Sequence, residues 1–121
     1  MNDEETKTFE VSVIVFRDGA GWTALALEMN LRGYGASRRA ATDDVVAMIV
    51  AQVSFAVQMG HPESVWHPAE EKYWRMFNDA RRMRFVAEIS GKRASADSPF
   101  ADMVPLPPAA CRRDEWIGAG A

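Results

Sequence analysis

Three short apolar segments run from residue 9 to residue 36 and lead directly into a long apolar helix. The first, Phe9–Phe16, alternates large apolar residues with other side chains, which is the period of a strand. Asp18 and Gly19 separate it from the second, Trp22–Glu28, as in a hairpin, because glycine tolerates positive φ. The third, Leu31–Ala36, contains two glycines, which mark a bulge or a close approach of another backbone. The pattern predicts a three-stranded antiparallel sheet.

The helix that follows has apolar residues on two sides. Ser37 is its preferred N-cap, with Thr42 as the alternative, and the pattern runs to about Met59, before Gly60 and Pro62 stop it. A surface helix needs only one apolar stripe. We therefore expect the sheet to cover one side, and a second helix, a second copy of the chain or a partner to cover the other. The two stripes are Ala41, Val45, Met48, Ile49, Ala56 and Met59, and Val46, Val50, Val53 and Val57.

A second helix is predicted at about residues 68–84, because Pro68 suits its first position and two glutamates follow in the first turn. We expect it to pack beside the first helix. Residues 85–90 either extend it or form a brief edge strand. Beyond them the composition shifts to Pro, Ala and Ser, which predicts one folded domain over residues 1–90 and a disordered tail over residues 91–121. The predicted fold class is α+β: a three-stranded antiparallel sheet packed against a long helix, then a second helix and a flexible tail.

The composition excludes several broad classes. Apolar residues make up 48% and charged residues 26%, as in an ordinary soluble domain. The net charge of -3 argues against a general nucleic-acid binder, which is usually basic. Cys111 is the one cysteine, so no internal disulfide is possible and a reducing cytoplasm is favoured. Residues 2–8 are too polar for a secretory signal, and the apolar run Val45–Met59 is too short to span a membrane. We expect a soluble cytoplasmic protein.

No group of residues in the sequence predicts catalysis. His61 and His67 lie near glutamates, but helix-capping and turn roles are favoured over a zinc site. Asp43 and Asp44 are adjacent on the predicted helix, so their side chains point about 100° apart and favour a solvated first turn. Cys111 stands in a Pro/Ala-rich segment without a base fixed beside it. We expect no enzyme, no metal and no cofactor. The other acids near the predicted core are Asp18 and Glu28.

The segment between residues 31 and 41 resembles the HicB-like antitoxin family. In that family a strand, a Gly-containing turn and a second strand precede a leucine, two spaced glycines, a hydroxyl cap and an alanine early in the next helix. Those positions are held here by Leu31, Gly33, Gly35, Ser37 and Ala41. Four positions depart from the family pattern: Arg32 replaces its proline, Ala36 the acid before the cap, and Arg39 and Ala40 its first-turn acids. The resemblance covers about the first 59 residues.

This resemblance implies a function in protein binding. The resemblance implies a component of a bacterial toxin–antitoxin system. Such a component is a ribonuclease-H-like α+β module that lacks catalytic acids and neutralises a small mRNA-cleaving toxin. The edge strand Leu31–Ala36 is then a site for strand addition. A homo-oligomer is also expected, because the two-sided apolar helix needs cover. The candidate partner-binding residues are Trp22, Arg32, Tyr34, Arg38 and Arg39.

The alternative is a nucleic-acid-binding protein that uses a basic face between Arg75 and Arg93. Tyr73 and Trp74 offer rings on which a base stacks. Several acids interrupt this face, however, and favour a solvated helix surface. The basic residues of this hypothesis are Arg75, Arg81, Arg82 and Arg84.

Overall fold

The computed structural model describes residues 9–93 and 95–106, and it confirms the α+β class. Four antiparallel strands form one sheet in the order β3-β2-β1-β4, and two long helices pack against it. The elements are β1 Phe9–Asp18, β2 Gly21–Ala26, β3 Leu31–Gly35, α1 Arg38–Gln58, a short 3₁₀ helix Pro62–Val65, α2 Glu71–Ser90 and β4 Phe100–Leu106.

Helix α1 covers one face of the sheet and closes the larger of two cores. Val13 and Ala24 of the sheet are fully buried there with Val45 of the helix. Gly33 explains how closely β3 approaches α1. A Cβ at this position would press into the backbone nitrogen of Val45 and would lie 2.7 Å from the carbonyl oxygen of Ala41. The close backbone approach predicted from the glycines is therefore the contact between β3 and α1.

Helix α2 lies on the opposite face of the sheet, so the expectation that it packs beside α1 is wrong. Phe77 of α2 is buried against Ile14 and Leu25 in a second core. Strand β1 serves both cores, because neighbouring residues of a strand point to opposite faces. Residues Val11–Val15 are accordingly buried without interruption. A sheet with an apolar layer on each face needs a helix on each face.

The start of α1 agrees with the preferred N-cap. Ser37 has extended backbone angles, and its hydroxyl oxygen accepts the backbone N–H of Ala40 at 3.1 Å. This bond satisfies one of the donors that the first turn of a helix leaves free. The alternative cap, Thr42, lies inside the helix and donates its hydroxyl to the carbonyl oxygen of Arg38 at 2.9 Å.

Helix α2 begins later and ends later than the sequence indicated. Its first residue is Glu71, because the segment after Pro68 is still held to the end of β2, where Ala69 donates its N–H to the carbonyl oxygen of Leu27 at 2.8 Å. It continues to Ser90, so residues 85–90 extend the helix rather than forming a strand.

The fourth strand lies in the segment that was predicted to be a tail. Strand β4 pairs with residues 9–15 of β1, from Phe9 opposite Leu106 to Val15 opposite Phe100. The predictions of three strands and of a domain that ends at residue 90 are therefore wrong, since the folded unit reaches residue 106. Pro105 obscured this strand in the sequence, but β4 is an edge strand, where a missing N–H is tolerated. Residues 94 and 107–121 of the predicted tail lie outside the described residues.

Among the described residues, α1 is the one helix long and apolar enough to cross a membrane, with a mean hydropathy of 1.5 over 18 residues. Length and composition are all that this criterion tests. A helix that covers a sheet on one side and is apolar on the other also meets it.

Candidate protein-binding surfaces

Trp22 and Arg38, two of the predicted partner-binding residues, make contacts inside the protein. Trp22 is only 7% exposed, and the guanidinium of Arg38 lies 5.0 Å from its ring centroid. One terminal nitrogen of Arg38 also donates to three carbonyl oxygens, those of Ser95, Ala96 and Ser98, at 2.7 to 3.2 Å. Arg38 thereby ties the start of α1 to the segment before β4. These contacts leave little of either side chain for a partner.

Arg32 and Tyr34 lie on the face of β3 that points toward α2. The Arg32 guanidinium lies 5.0 Å from the ring centroid of Tyr73, and the Phe16 ring stacks on the same tyrosine at 6.2 Å. Tyr34 is 59% exposed beside them, and the Lys72 ammonium lies 5.1 Å from the Tyr73 ring. We call Phe16, Arg32, Tyr34, Lys72 and Tyr73 the Tyr34 surface. It combines aromatic rings with two cations at the accessible end of the sheet.

The electrostatics of the Tyr34 surface centre on one pair. Hydrogen bonding to the Arg32 guanidinium, aided by its positive charge, lowers the pKa of the Tyr73 hydroxyl. The same hydrogen bond raises the pKa of Arg32. Arg32 of β3 therefore contacts α2 at Tyr73.

Strand β3 is one edge of the sheet, and helix α1 occupies part of that edge. The backbone N–H of Tyr34 donates to the Asp44 carboxylate at 2.9 Å. A strand that adds to β3 has to replace this contact. The opposite edge, β4, contains Pro105, which has no N–H to offer. Arg39, the remaining candidate, lies on the surface of α1 and pairs with Asp43 at 3.9 Å.

The acids near the core have structural roles. The Glu28 carboxylate accepts the backbone N–H of Ser12 at 2.8 Å and its hydroxyl at 2.7 Å. Asp18 accepts the hydroxyl of Thr23 at 3.2 Å. Within residues 9–93 and 95–106, no three side chains of His, Cys, Asp or Glu are grouped so that they could hold a metal ion.

Three of the four arginines in the nucleic-acid hypothesis form ion pairs along α2, and one of these pairs joins Arg84 to Glu88 at 3.8 Å. Arg75 contacts Glu71 at 2.9 Å, one turn earlier, and Arg82 contacts Asp79 at 3.6 Å. Exposed pairs of this kind stabilise a helix by at most about 1 kcal/mol. Acidic and basic residues alternate in these pairs, so the positive charge on this side of α2 is locally compensated.

Arg81 and Arg84 pack against aromatic rings. The Arg81 guanidinium lies 5.9 Å from the ring centroid of Phe77, and that of Arg84 lies 4.8 Å from Phe100. Arg84 also donates to the carbonyl oxygen of Ala101 at 3.3 Å. The four arginines therefore do not form one continuous basic face.

The second half of α2 exposes a group of large apolar side chains. A groove of about 840 Å³ lies beside them, between α2 and the segment that leads into β4. We call the exposed group the α2 apolar surface; its members are Met83, Phe85, Val86 and Ile89. Contiguous apolar patches of this kind mark interaction sites.

Comparisons with protein-family models, with curated proteins and with solved structures give no match to the chain. The resemblance to HicB-like antitoxins remains a prediction from the sequence, based on residues 11–16, 18–26 and 31–41.

Two features of these surfaces were missed in the sequence, although each has a signal there. Ser12 stands in the middle of an otherwise apolar strand, and a buried hydroxyl of that kind needs a polar partner, which is Glu28. The alternation of Phe100, Val104 and Leu106 with other residues is a strand period. The role of Arg38 has no local signal, because its acceptors lie 57 to 60 residues away.

Proposed function

We propose that the chain is a HicB-like antitoxin, or an orphan relative of that family, which binds and neutralises a small partner protein in the cytoplasm. An mRNA-cleaving toxin is the partner that the resemblance implies. The observation that carries the proposal is the position of Tyr34, whose exposed ring lies on an edge strand inside the segment that resembles the family. Tyrosine is among the side chains that most often anchor protein interfaces.

The glycines of the same segment support the proposal. A Cβ at Gly35 would lie 2.6 Å from the backbone nitrogen of Ala41, and Gly33 meets α1 in the same way. These contacts fix β3 against the helix. Since side chains alternate along a strand, fixing the glycine side of β3 presents Arg32 and Tyr34 on the other side.

The roles of the acids also support a binding function. Glu28 and Asp44 accept backbone N–H groups, and Asp18 accepts a hydroxyl. Groups engaged in this way stabilise the sheet and its edges, which suits a module that acts by binding rather than by acid–base catalysis.

A pull-down from lysate of the host tests the proposal. The tagged full-length chain is used with nuclease-treated and untreated lysate, and small proteins retained in both are identified. We expect a small protein that arrests growth when it is expressed alone and that no longer does so when the chain is co-expressed.

The Tyr34→Glu variant should lose this protein, because a charge replaces the exposed ring. Arg75→Ala is the matched control, since Arg75 lies on the surface of α2 and belongs to the alternative hypothesis. Recovery of nucleic acid alone, lost after nuclease treatment and after the Arg75 substitution, would contradict the proposal and favour the basic residues of α2.

A further inference from the structure

Strand β3 ends the sheet on one side, and an edge strand presents backbone N–H and C=O groups to which another strand can bind. In an antiparallel ladder these groups alternate in direction along the strand. The backbone N–H of Tyr34 donates to the Asp44 carboxylate on α1 at 2.9 Å. The polar groups of Tyr34, and those of Arg32 two residues earlier, therefore point to the open side of the sheet, where Asp44 occupies one of the donors.

The position of Asp44 follows from the close packing of α1 on β3. Val45, the next residue, is fully buried, and a Cβ at Gly33 would press into its backbone nitrogen. At 100° per residue, the Asp44 side chain lies beside the buried one and reaches the rim of the strand. Asp43 lies one step further round the helix and pairs with Arg39 at 3.9 Å. One of the two adjacent acids thus contacts the sheet edge, and the other contacts its own helix.

The two edges of the sheet are closed in different ways. In β4, Pro105 has no N–H, and Arg84 donates to the carbonyl oxygen of Ala101 at 3.3 Å. The proline removes its donor permanently. In β3, the donor of Tyr34 is occupied by the side chain of an exposed residue, Asp44. That carboxylate leaves the N–H when the side chain rotates into solvent, so the β3 edge opens without any change of the backbone.

We propose that Asp44 is a displaceable cap, which closes the β3 edge to the β3 strand of a second copy of the chain. The carboxylate lies where the backbone carbonyl oxygen of an added strand has to bind. Without it, two β3 strands are self-complementary. Antiparallel pairing centred on Gly33 sets Arg32 of one copy opposite the partner subunit's Tyr34, and a guanidinium is attracted to a tyrosine ring.

Sedimentation velocity of the full-length chain tests the cap. We expect Asp44→Ala to associate with a constant at least about tenfold higher than that of the unmodified chain, because the edge donor loses its acceptor. Asp44→Asn should stay close to the unmodified chain, since its amide oxygen still accepts the Tyr34 N–H. Asp43→Ala is the matched control and should have no effect, because this acid contacts Arg39 and not the sheet. Circular dichroism confirms that the variants are folded.

A second substitution shows whether the new association uses the edge. Arg32→Pro in the Asp44→Ala background removes an N–H from the open side of β3, and proline is tolerated on an edge strand. This double variant should therefore sediment like the unmodified chain. An Asp44→Ala variant that does not associate would overturn the inference. Association that persists with Arg32→Pro, or that Asp43→Ala also produces, would overturn it as well. None of these results bears on the antitoxin proposal, which is tested by Tyr34→Glu.

Discussion

Gly33 is the residue on which the fit of β3 against α1 depends. It has space for a hydrogen atom and none for a methyl group, because the backbone atoms of Val45 and Ala41 occupy that position. Backbone atoms in a helix cannot move aside singly, so the strand or the helix must shift as a whole.

Gly33→Ala should therefore lower the free energy of unfolding by at least about 3 kcal/mol, the upper part of the usual range for overpacking. Gly19→Ala is the control. It has no atom within 4 Å but has a φ of +63°, so it should cost about 1 kcal/mol from backbone strain alone. Urea unfolding of both variants gives the comparison. Equal losses would show that the contact with α1 is looser than described.

Tyr73 reports on the Arg32 contact through its pKa. The chain has two tyrosines, so a Tyr34→Phe background leaves Tyr73 as the single titrating phenol. In that background Arg32→Ala should raise the pKa of Tyr73 toward 10.0, because the hydrogen bond and positive charge that favour the tyrosinate are removed. Lys72→Ala should raise it less, since the lysine acts only through its charge. The ultraviolet absorbance of tyrosinate follows the titration, and an unchanged midpoint after Arg32→Ala would contradict the contact.

At the scale of elements, the segment after β2 decides where α2 lies. The carbonyl oxygens of Leu27 and Glu28 accept the N–H groups of Ala69 and His67 at 2.8 and 3.0 Å. These two bonds bring the connector to the face opposite α1. The Glu28 side chain completes the arrangement through Ser12 of β1.

Glu28→Ala should destabilise this junction by about 1–3 kcal/mol, because it leaves the buried N–H and hydroxyl of Ser12 without their acceptor. Glu28→Gln should cost less, since its amide oxygen still accepts one of the two bonds. The measurement is again urea unfolding, with hydrogen exchange of α2 as the local probe. A Glu28→Ala variant as stable as the unmodified chain would contradict the structural role of this carboxylate.

The secondary-structure elements also show which features of the fold local sequence patterns can predict. The first three strands, the Ser37 cap and helix α1 were predicted correctly to within a few residues, because period and cap are local signals. Strand β4 was not predicted, because Pro105 and Asp102 mask its alternation and its pairing with β1 is formed across more than 80 residues. The face of the sheet on which α2 packs was not predicted either, since it depends on backbone hydrogen bonds to the end of β2. Of the candidate site, Tyr34 is exposed and Arg32 is half-buried beside Tyr73, whereas Trp22 and Arg38 pack within the fold.

For the whole molecule, the two surfaces lie at opposite ends of α2. The Tyr34 surface joins the first turn of α2 to β3, and the α2 apolar surface lies beyond Ala80 toward Ser90.

The most direct test is a neutralisation assay with the small protein that the chain retains after nuclease treatment. That protein is expressed alone, with the unmodified chain, with Tyr34→Glu and with the control Arg75→Ala, and growth is followed. We predict arrest by the protein alone, relief by the unmodified chain and no relief by Tyr34→Glu. Arg75→Ala should still relieve the arrest, because its Tyr34 surface is intact. Relief that is unaffected by Tyr34→Glu would contradict the assignment of the binding surface, and a retained protein that never arrests growth would contradict the proposed function itself.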